Sequence, residues 1–416
     1  MHPKMNYDYD IARKKLEELN VDLSHFTSRN DICTPMECVE EMVDSIPTEF
    51  WHRESISVLD PCAGNGNFPA YILSKVQNSS CKITLNEINQ TRLNNAKTIF
   101  GNVGEIEYES KDFLANSFDF YDLIVANPPF ALLMKNGQRA AKNHGVSKLF
   151  VEKALEHLNE NGYLVFIIPD NWMSLSDRNK LAHRLMQYQF IKINIHSAKR
   201  YFKGVGSSFT WFVLKKEENK NKTIIENSFL EEEVSTVRLN QEHYNIPLHY
   251  NEIIESILSK TIYSNLERLR VETSSDLHKY TKSKLLSADK DADHPHELIH
   301  TQKQTVWSSR PHKFQKGWKT FICLTSYYQI FNRNDVGMTQ SIAFVRCENE
   351  AEAKRNERVL SHPIYKFINN IHRYGNFNNV RILQKFPVPD NPNDIWQSFE
   401  ITDEEKNFIL RHTHGK

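Results

Sequence analysis

Residues 55–76 constrain the fold of this chain more tightly than any other segment. Ser55 to Leu59 is a short apolar run of strand type, Asp60-Pro61-Cys62-Ala63-Gly64-Asn65-Gly66-Asn67 reads as a loop, and Phe68 to Val76 has helical apolar spacing. A strand that enters a glycine loop and leaves as a helix opens a βαβ unit, because parallel strands need a crossover between them. The pattern continues downstream. Ile83 to Leu85 and Leu123 to Ala126 read as strands, Leu149 to Leu158 as a helix, Gly162 to Ile168 as a buried strand, and Ile191 to Ile195 and Phe209 to Leu214 as two more. Strands alternating with helices predict an α/β, Rossmann-like, doubly wound sheet. Such sheets hold ligands at the carboxyl ends of their strands, and the sharpest motifs of this chain fall there.

The 416 residues exceed one ordinary domain and suit two. The charged run Lys215 to Lys222 marks the expected boundary, giving an α/β domain over 1–222 and an α+β domain over 223–416. Residues 225–300 hold helical stretches and a polar loop, and 301–390 are aromatic, basic and irregular. Upstream, Thr34-Pro35-Met36-Glu37 reads as a helix start, with Thr34 as cap, Pro35 in the first turn and Glu37 closing a capping box. No apolar stretch approaches the ~18 residues of a membrane span. Met1 to Asp10 lacks the apolar core of a secretory signal, so a cytoplasmic protein is expected. The six cysteines form no Cys-x-x-Cys pair, which argues against a zinc site and for free thiols.

Four motifs carry chemistry. The glycines of the 60–67 loop let the backbone turn tightly and approach a ligand. An ordinary strand-to-helix loop could show two glycines; the Asp60-Pro61 start and Phe68 after the second glycine sharpen the pattern. Glu87, just past the second strand, stands where an acid can accept both hydroxyls of a ribose, with a solvated surface acid as the plainer reading. Asp112 falls where a third loop would meet an adenine amine, and a simple loop acid competes with that role. Asn127-Pro128-Pro129-Phe130 follows an apolar strand directly. Proline fixes φ and removes backbone donors, so the Asn127 side chain and a backbone carbonyl can both face one NH2 group as acceptors. Phe130 can stack on a planar base. No nucleophile elbow or metal signature stands out.

The net charge is zero, with 52 basic and 52 acidic residues, which taken globally argues mildly against a nucleic-acid partner. The distribution says more. Residues 1–50 hold 11 acids against 5 bases, whereas 301–333 contain Lys303, Arg310, Lys313, Lys316, Lys319 and Arg333 and no acid. Seven aromatics, Trp307 to Phe331, interleave with those bases. Basic side chains suit phosphates and aromatics stack or wedge at bases, although a solvated face over a small aromatic core has the same composition.

Taken together these residues resemble the adenine-N6 DNA methyltransferases in their gamma arrangement, over about residues 25–215. The resemblance implies S-adenosylmethionine as cofactor, the N6 of a flipped adenine as methyl acceptor, and double-stranded DNA as partner. It also makes a separate restriction endonuclease a candidate companion. It assigns Thr34 to the methionine end of the cofactor, and Asp60, Pro61, Gly64, Gly66 and Phe68 to the cofactor loop. Glu87 and Asp112 take the ribose and adenine, and Asn127, Pro128, Pro129 and Phe130 the catalytic tetrapeptide. Phe202 to Phe209 resembles the segment that helps hold the flipped base, with Phe209 facing it. Lys313, Lys316 and Lys319 are the expected phosphate contacts in a C-terminal target-recognition domain. Methyltransferases acting on RNA bases or on protein glutamine share Asn-Pro-Pro, and the long second domain favours DNA over them. A non-catalytic nucleic-acid-binding module is the reading of another class, and the intact tetrapeptide opposes it.

Overall fold

The structure is a computed structural model, and it describes residues 7–21, 33–76, 80–101, 103, 105–129, 145–175, 180–195, 200–202, 209–227, 234–239, 245–325, 327–374 and 377–414. The chain divides into two compact units, Met1–Met173 with Asn179–Tyr244, and Ser174–Arg178 with Asn245–Lys416.

The first unit is built on a nine-stranded sheet. Its strands are β1 (Ser55–Asp60), β2 (Ser80–Asn86), β3 (Glu105–Glu109), β4 (Tyr121–Ala126), β5 (Leu158–Pro169), β6 (Tyr188–Ile195), β7 (Phe209–Glu218), β8 (Thr223–Asn227) and β9 (Val234–Val237). They lie in the order β3-β2-β1-β4-β5-β7-β6-β8-β9. β1 to β5 run parallel, β7 pairs antiparallel with both β5 and β6, and β8 is parallel to β6. The helices are α1 (Tyr9–Val21), α2 (Met36–Asp44), α3 (Asn67–Lys75), α4 (Gln90–Phe100), α5 (Val146–Glu156) and α6 (Lys180–Leu185). Central strands are buried through most of their length, Leu123 to Ala126 and Tyr163 to Ile168 without a break, as expected when both faces of a sheet are covered. This is the doubly wound α/β fold read from the sequence.

Two expectations need correction. The boundary at residue 222 falls inside the sheet, because Ile225 of β8 lies in register with Ile193 of β6 and β9 pairs in turn with β8. The first unit therefore runs on to Tyr244. At the start of α2 the cap is Pro35, with no side-chain cap bond, and Met36 is the first helical residue. Thr34 is buried instead of capping, and Glu37 bonds Arg13 of α1 at 3.0 Å and closes no box.

The second unit is α+β. One four-stranded sheet joins β10 (Glu272–Thr273), β17 (Ile342–Cys347), β14 (Trp318–Cys323) and β15 (Ile330–Asn334) in that order. Another joins β11 (Leu286–Ser287), β13 (Gln304–Ser308), β12 (His296–Thr301) and β16 (Gly337–Met338). Helices α7 (Glu252–Lys260), α8 (Glu350–Leu360), α9 (Pro363–Ile371), α10 (Val380–Leu383), α11 (Ile395–Ser398) and α12 (Asp403–His414) complete it. Phe321, Ile342 and Phe344 form part of its buried core.

Candidate active site

The strand order reverses at β1. The chain moves outward to β2 and β3 on one side and returns on the other as β4, which opens a crevice at the carboxyl ends of β1 and β4. Leu59 of β1 is in register with Ile124 of β4, so Asp60 and Asn127 end neighbouring strands on the same edge of the sheet. Pro128 follows Asn127 as a buried residue and Pro129 is exposed. Phe130 lies outside the described residues.

The loop after β1 is held in a fixed shape. Asp60 is 1% exposed, and its Oδ1 accepts the Cys62 N–H at 3.2 Å. Its Oδ2 is buried with no hydrogen-bond partner among the described residues. Burial pushes the Asp60 carboxyl well above the usual carboxylate range, outweighing the lowering pull of the Cys62 bond, and the Glu87 charge adds a smaller push upward. Gly64 has φ +58° and would carry a Cβ into open space, so the glycine is required by backbone conformation and leaves the loop surface bare. Gly66 has φ +100°, and a Cβ there would meet the Phe100 ring of α4 at 2.5 Å. Asn67, at the first turn of α3, gives its side-chain amide to the Thr34 carbonyl at 2.7 Å, while its Oδ1 is buried without a partner among the described residues. Thr34 thus reaches the loop through its backbone. Phe68 is 4% exposed and belongs to the core beneath the loop.

Glu87 is buried two residues beyond Leu85, the register partner of Asp60. One of its oxygens accepts the Gly64 N–H at 2.8 Å and the other the Asn89 N–H at 2.7 Å. The acid therefore ties the first glycine to the start of α4. Ile88, beside it, leaves its apolar side chain 70% exposed. Asp112 is exposed, its Oδ1 accepting the Leu114 N–H at 2.9 Å.

Sequence reasoning missed the residue that joins these loops. Asn86 ends β2 almost fully buried, and its amide donates to the Pro61 and Lys111 carbonyls, each at 2.9 Å. Its oxygen accepts the Lys111 N–H at 2.9 Å. Nothing in the residue pattern marks Asn86, since its partners are backbone groups of segments 25 residues away on either side.

Other expected site residues are placed differently. Phe209 begins β7 in register with Pro169, the last residue of β5, which brings it to the same sheet edge; its ring is 1% exposed and lies 5.2 Å from Phe202. In the second unit Lys313 and Lys316 are exposed. Lys319 is not available to a phosphate. Its buried ammonium donates to the carbonyls of Gly317 at 2.6 Å, Lys316 at 3.0 Å and Gln315 at 3.3 Å, and burial lowers its pKa to about 8. Arg310 is bidentate on Asp276, at 2.8 and 3.2 Å, so part of the acid-free segment is neutralised by an acid from outside it.

The model of the Eco57I restriction-modification methylase family matches residues 19–202. The chain is 24% identical over 245 residues to the Type II methyltransferase M.VspI of Vibrio sp. (strain 343), covering 54% of this chain and 57% of that protein. It is 30% identical over 149 residues to the modification methylase CviBIII of Paramecium bursaria Chlorella virus NC1A, covering 34% of this chain and 38% of that one. It is 25% identical over 216 residues to the Type II methyltransferase M.HincII of Haemophilus influenzae, covering 48% and 39%. The chain thus spans between about two-fifths and three-fifths of the length of these curated relatives.

Proposed function

We propose that this chain is an S-adenosylmethionine-dependent methyltransferase that modifies the N6 amine of adenine in double-stranded DNA. The observation that carries the reading is the meeting of the Asp60–Gly66 loop and Asn127-Pro128 at one edge of the sheet, where the strand order reverses. A match to a restriction-modification methylase family over 19–202 supports it, and a separate restriction endonuclease as companion belongs to the same reading.

The residues present fit that cofactor. Oδ2 of Asp60 and Oδ1 of Asn67 are buried acceptors that lack a donor among the described residues, as a ligand ammonium would require. Gly64 keeps the loop surface open, Glu87 is a buried acid bonded to that loop, and Ile88 presents an apolar face for a flat ring. S-adenosylmethionine, when bound, supplies an electrophilic methyl group on a sulfonium centre.

The chain's own residues do the rest. Glu87 accepts the ribose hydroxyls and Asp112 the adenine amine of the cofactor. An adenine in a duplex hides N6 in its base pair, so the target base leaves the stack at a cost of a few kcal/mol. The Asn127 side-chain oxygen and the Pro128 carbonyl accept the two hydrogens of the target amine. That pairing draws the nitrogen lone pair out of conjugation with the ring and aims it at the methyl. Phe130 supplies the stacking face. Much of the rate comes from holding amine and methyl in line.

Asn127→Ala tests the assignment. Methyl incorporation into duplex DNA should fall about 10²- to 10³-fold, the usual effect of removing one positioned transition-state hydrogen-bond group. Cofactor affinity by calorimetry should hold, because Asn127 meets the target and not the cofactor. Near-normal turnover would end the catalytic role of Asn127. Methylation of RNA or of a protein glutamine, with none of DNA, would move the substrate.

A further inference from the structure

Acids are missing from two separate stretches of the second unit, residues 298–334 and 358–389. The second stretch holds Arg358, Lys366, Arg373, Arg381 and Lys385. The fold brings the two stretches together beyond the end of β14. Asn378 donates its backbone N–H to the Leu324 carbonyl at 2.8 Å and its side-chain amide to the Cys323 carbonyl at 2.7 Å. The Tyr328 hydroxyl donates to the Leu360 carbonyl at 2.9 Å. The Arg373 guanidinium lies over the Tyr327 ring, 5.5 Å from its centroid.

Two large rings face solvent at this junction, Tyr327 at 72% and Phe377 at 63% exposure. Arg381 follows in the first turn of α10 and is exposed. Exposed aromatics among cations, in a region drained of acids, fit a polyanion with stackable faces better than a protein partner or a membrane, which would call for a broader apolar patch. We propose that Tyr327 and Phe377, with Arg373 and Arg381, form the surface by which the second unit grips duplex DNA. The rings meet base or sugar faces and the guanidinium groups meet phosphates. The inference rests on the methyltransferase reading given above. It also moves the DNA surface. Lys313 and Lys316 precede β14 and Tyr327 follows it, so the two sites stand at opposite ends of a strand of six residues, roughly 20 Å long at ~3.3 Å per residue.

The test is fluorescence anisotropy of a labelled duplex against the full chain across a salt series. Tyr327→Ala with Phe377→Ala should weaken binding about tenfold or more. Arg373→Ala with Arg381→Ala should flatten the log–log salt slope by about 0.9 for each arginine. Cofactor affinity should be unchanged in both, which also reports folding. Phe377→Ala and Arg381→Ala alone, both on exposed side chains, serve if the paired variants fail to fold. Unchanged affinity and slope in these variants while wild type binds duplex, or a slope change confined to Lys313→Ala with Lys316→Ala, overturns this surface and leaves the methyltransferase reading standing. A wild-type chain that binds cofactor yet prefers RNA, or binds no nucleic acid, overturns both.

Discussion

Asp60 ends β1 with one oxygen bonded to the Cys62 N–H and the other buried without a partner among the described residues. Its carboxyl is raised in the folded chain, whereas in the unfolded chain it ionises near the ordinary ~3.9. Its contribution to stability is therefore most favourable below ~4 and is lost as pH climbs through the higher folded value. Asp60→Asn removes the buried charge. Calorimetry should find the variant with a higher Tm than wild type at pH 7, the gap closing toward pH 4; a gap of the same size at both values would mean the charge is not the cause. The same variant removes an anion from the proposed ammonium site, so cofactor affinity should fall about ten- to hundredfold. At this scale the sequence was legible in where residues stand: Gly64 in the loop after β1, Glu87 just beyond β2 and Asn127 just beyond β4. It was silent where the role is set by distant backbone. Asn86 and Asn67 bond to carbonyls, and Lys319 bends back onto the turn before it, so composition counted it as a surface cation.

Among elements, the loops after β1 and β3 depend on β2, because Asn86 is hydrogen-bonded to both. Asn86→Ala breaks three hydrogen bonds, one buried and two part-buried, and strands their backbone partners, at about 1 kcal/mol or more apiece. Urea unfolding should show a loss of about 3 kcal/mol or more, and cofactor affinity should drop although no proposed cofactor ligand is itself replaced. Full affinity would mean that the loops hold their shape without the strut. Elements rich in Val, Ile and Leu were readable from period alone, among them β1, β4 and β5. Those missed have other reasons to exist. The β3 sequence Glu105-Ile106-Glu107-Tyr108-Glu109 is an edge strand that alternates with charges, and α4, with Gln90, Thr91, Asn94 and Asn95, shows little apolar face. α1 packs only Ala12 and Leu16 into the core. β8 and β9 follow a charged run that resembled a domain end, yet Lys215 and Lys220 pair with Glu217, and the chain turns back into the sheet. In the second unit, β14 carries Lys319 amid apolar residues, which hides its period.

Across the whole molecule, equal numbers of acids and bases give a pI near 7.3, so net repulsion between copies nearly vanishes close to neutral pH. Light scattering at low ionic strength should find least solubility between about pH 7 and 8. Added duplex DNA should restore solubility if the acid-free stretches bind it, because the complex becomes strongly negative. A solubility minimum unmoved by DNA would count against that binding. The overall plan, a doubly wound sheet followed by an α+β unit, was legible because alternation of strand and helix leaves few other arrangements. The extent of the first unit was not, since a sheet can be lengthened by strands that no local signal requires. A last consequence comes from Glu87, whose two oxygens are already fixed by the Gly64 and Asn89 N–H groups before anything binds. A receptor preorganised in this way has nothing to rearrange on encounter. Stopped-flow mixing with S-adenosylmethionine should therefore give one exponential phase whose rate rises in proportion to concentration; a plateau in that rate would reveal a slow reshaping step of the loop.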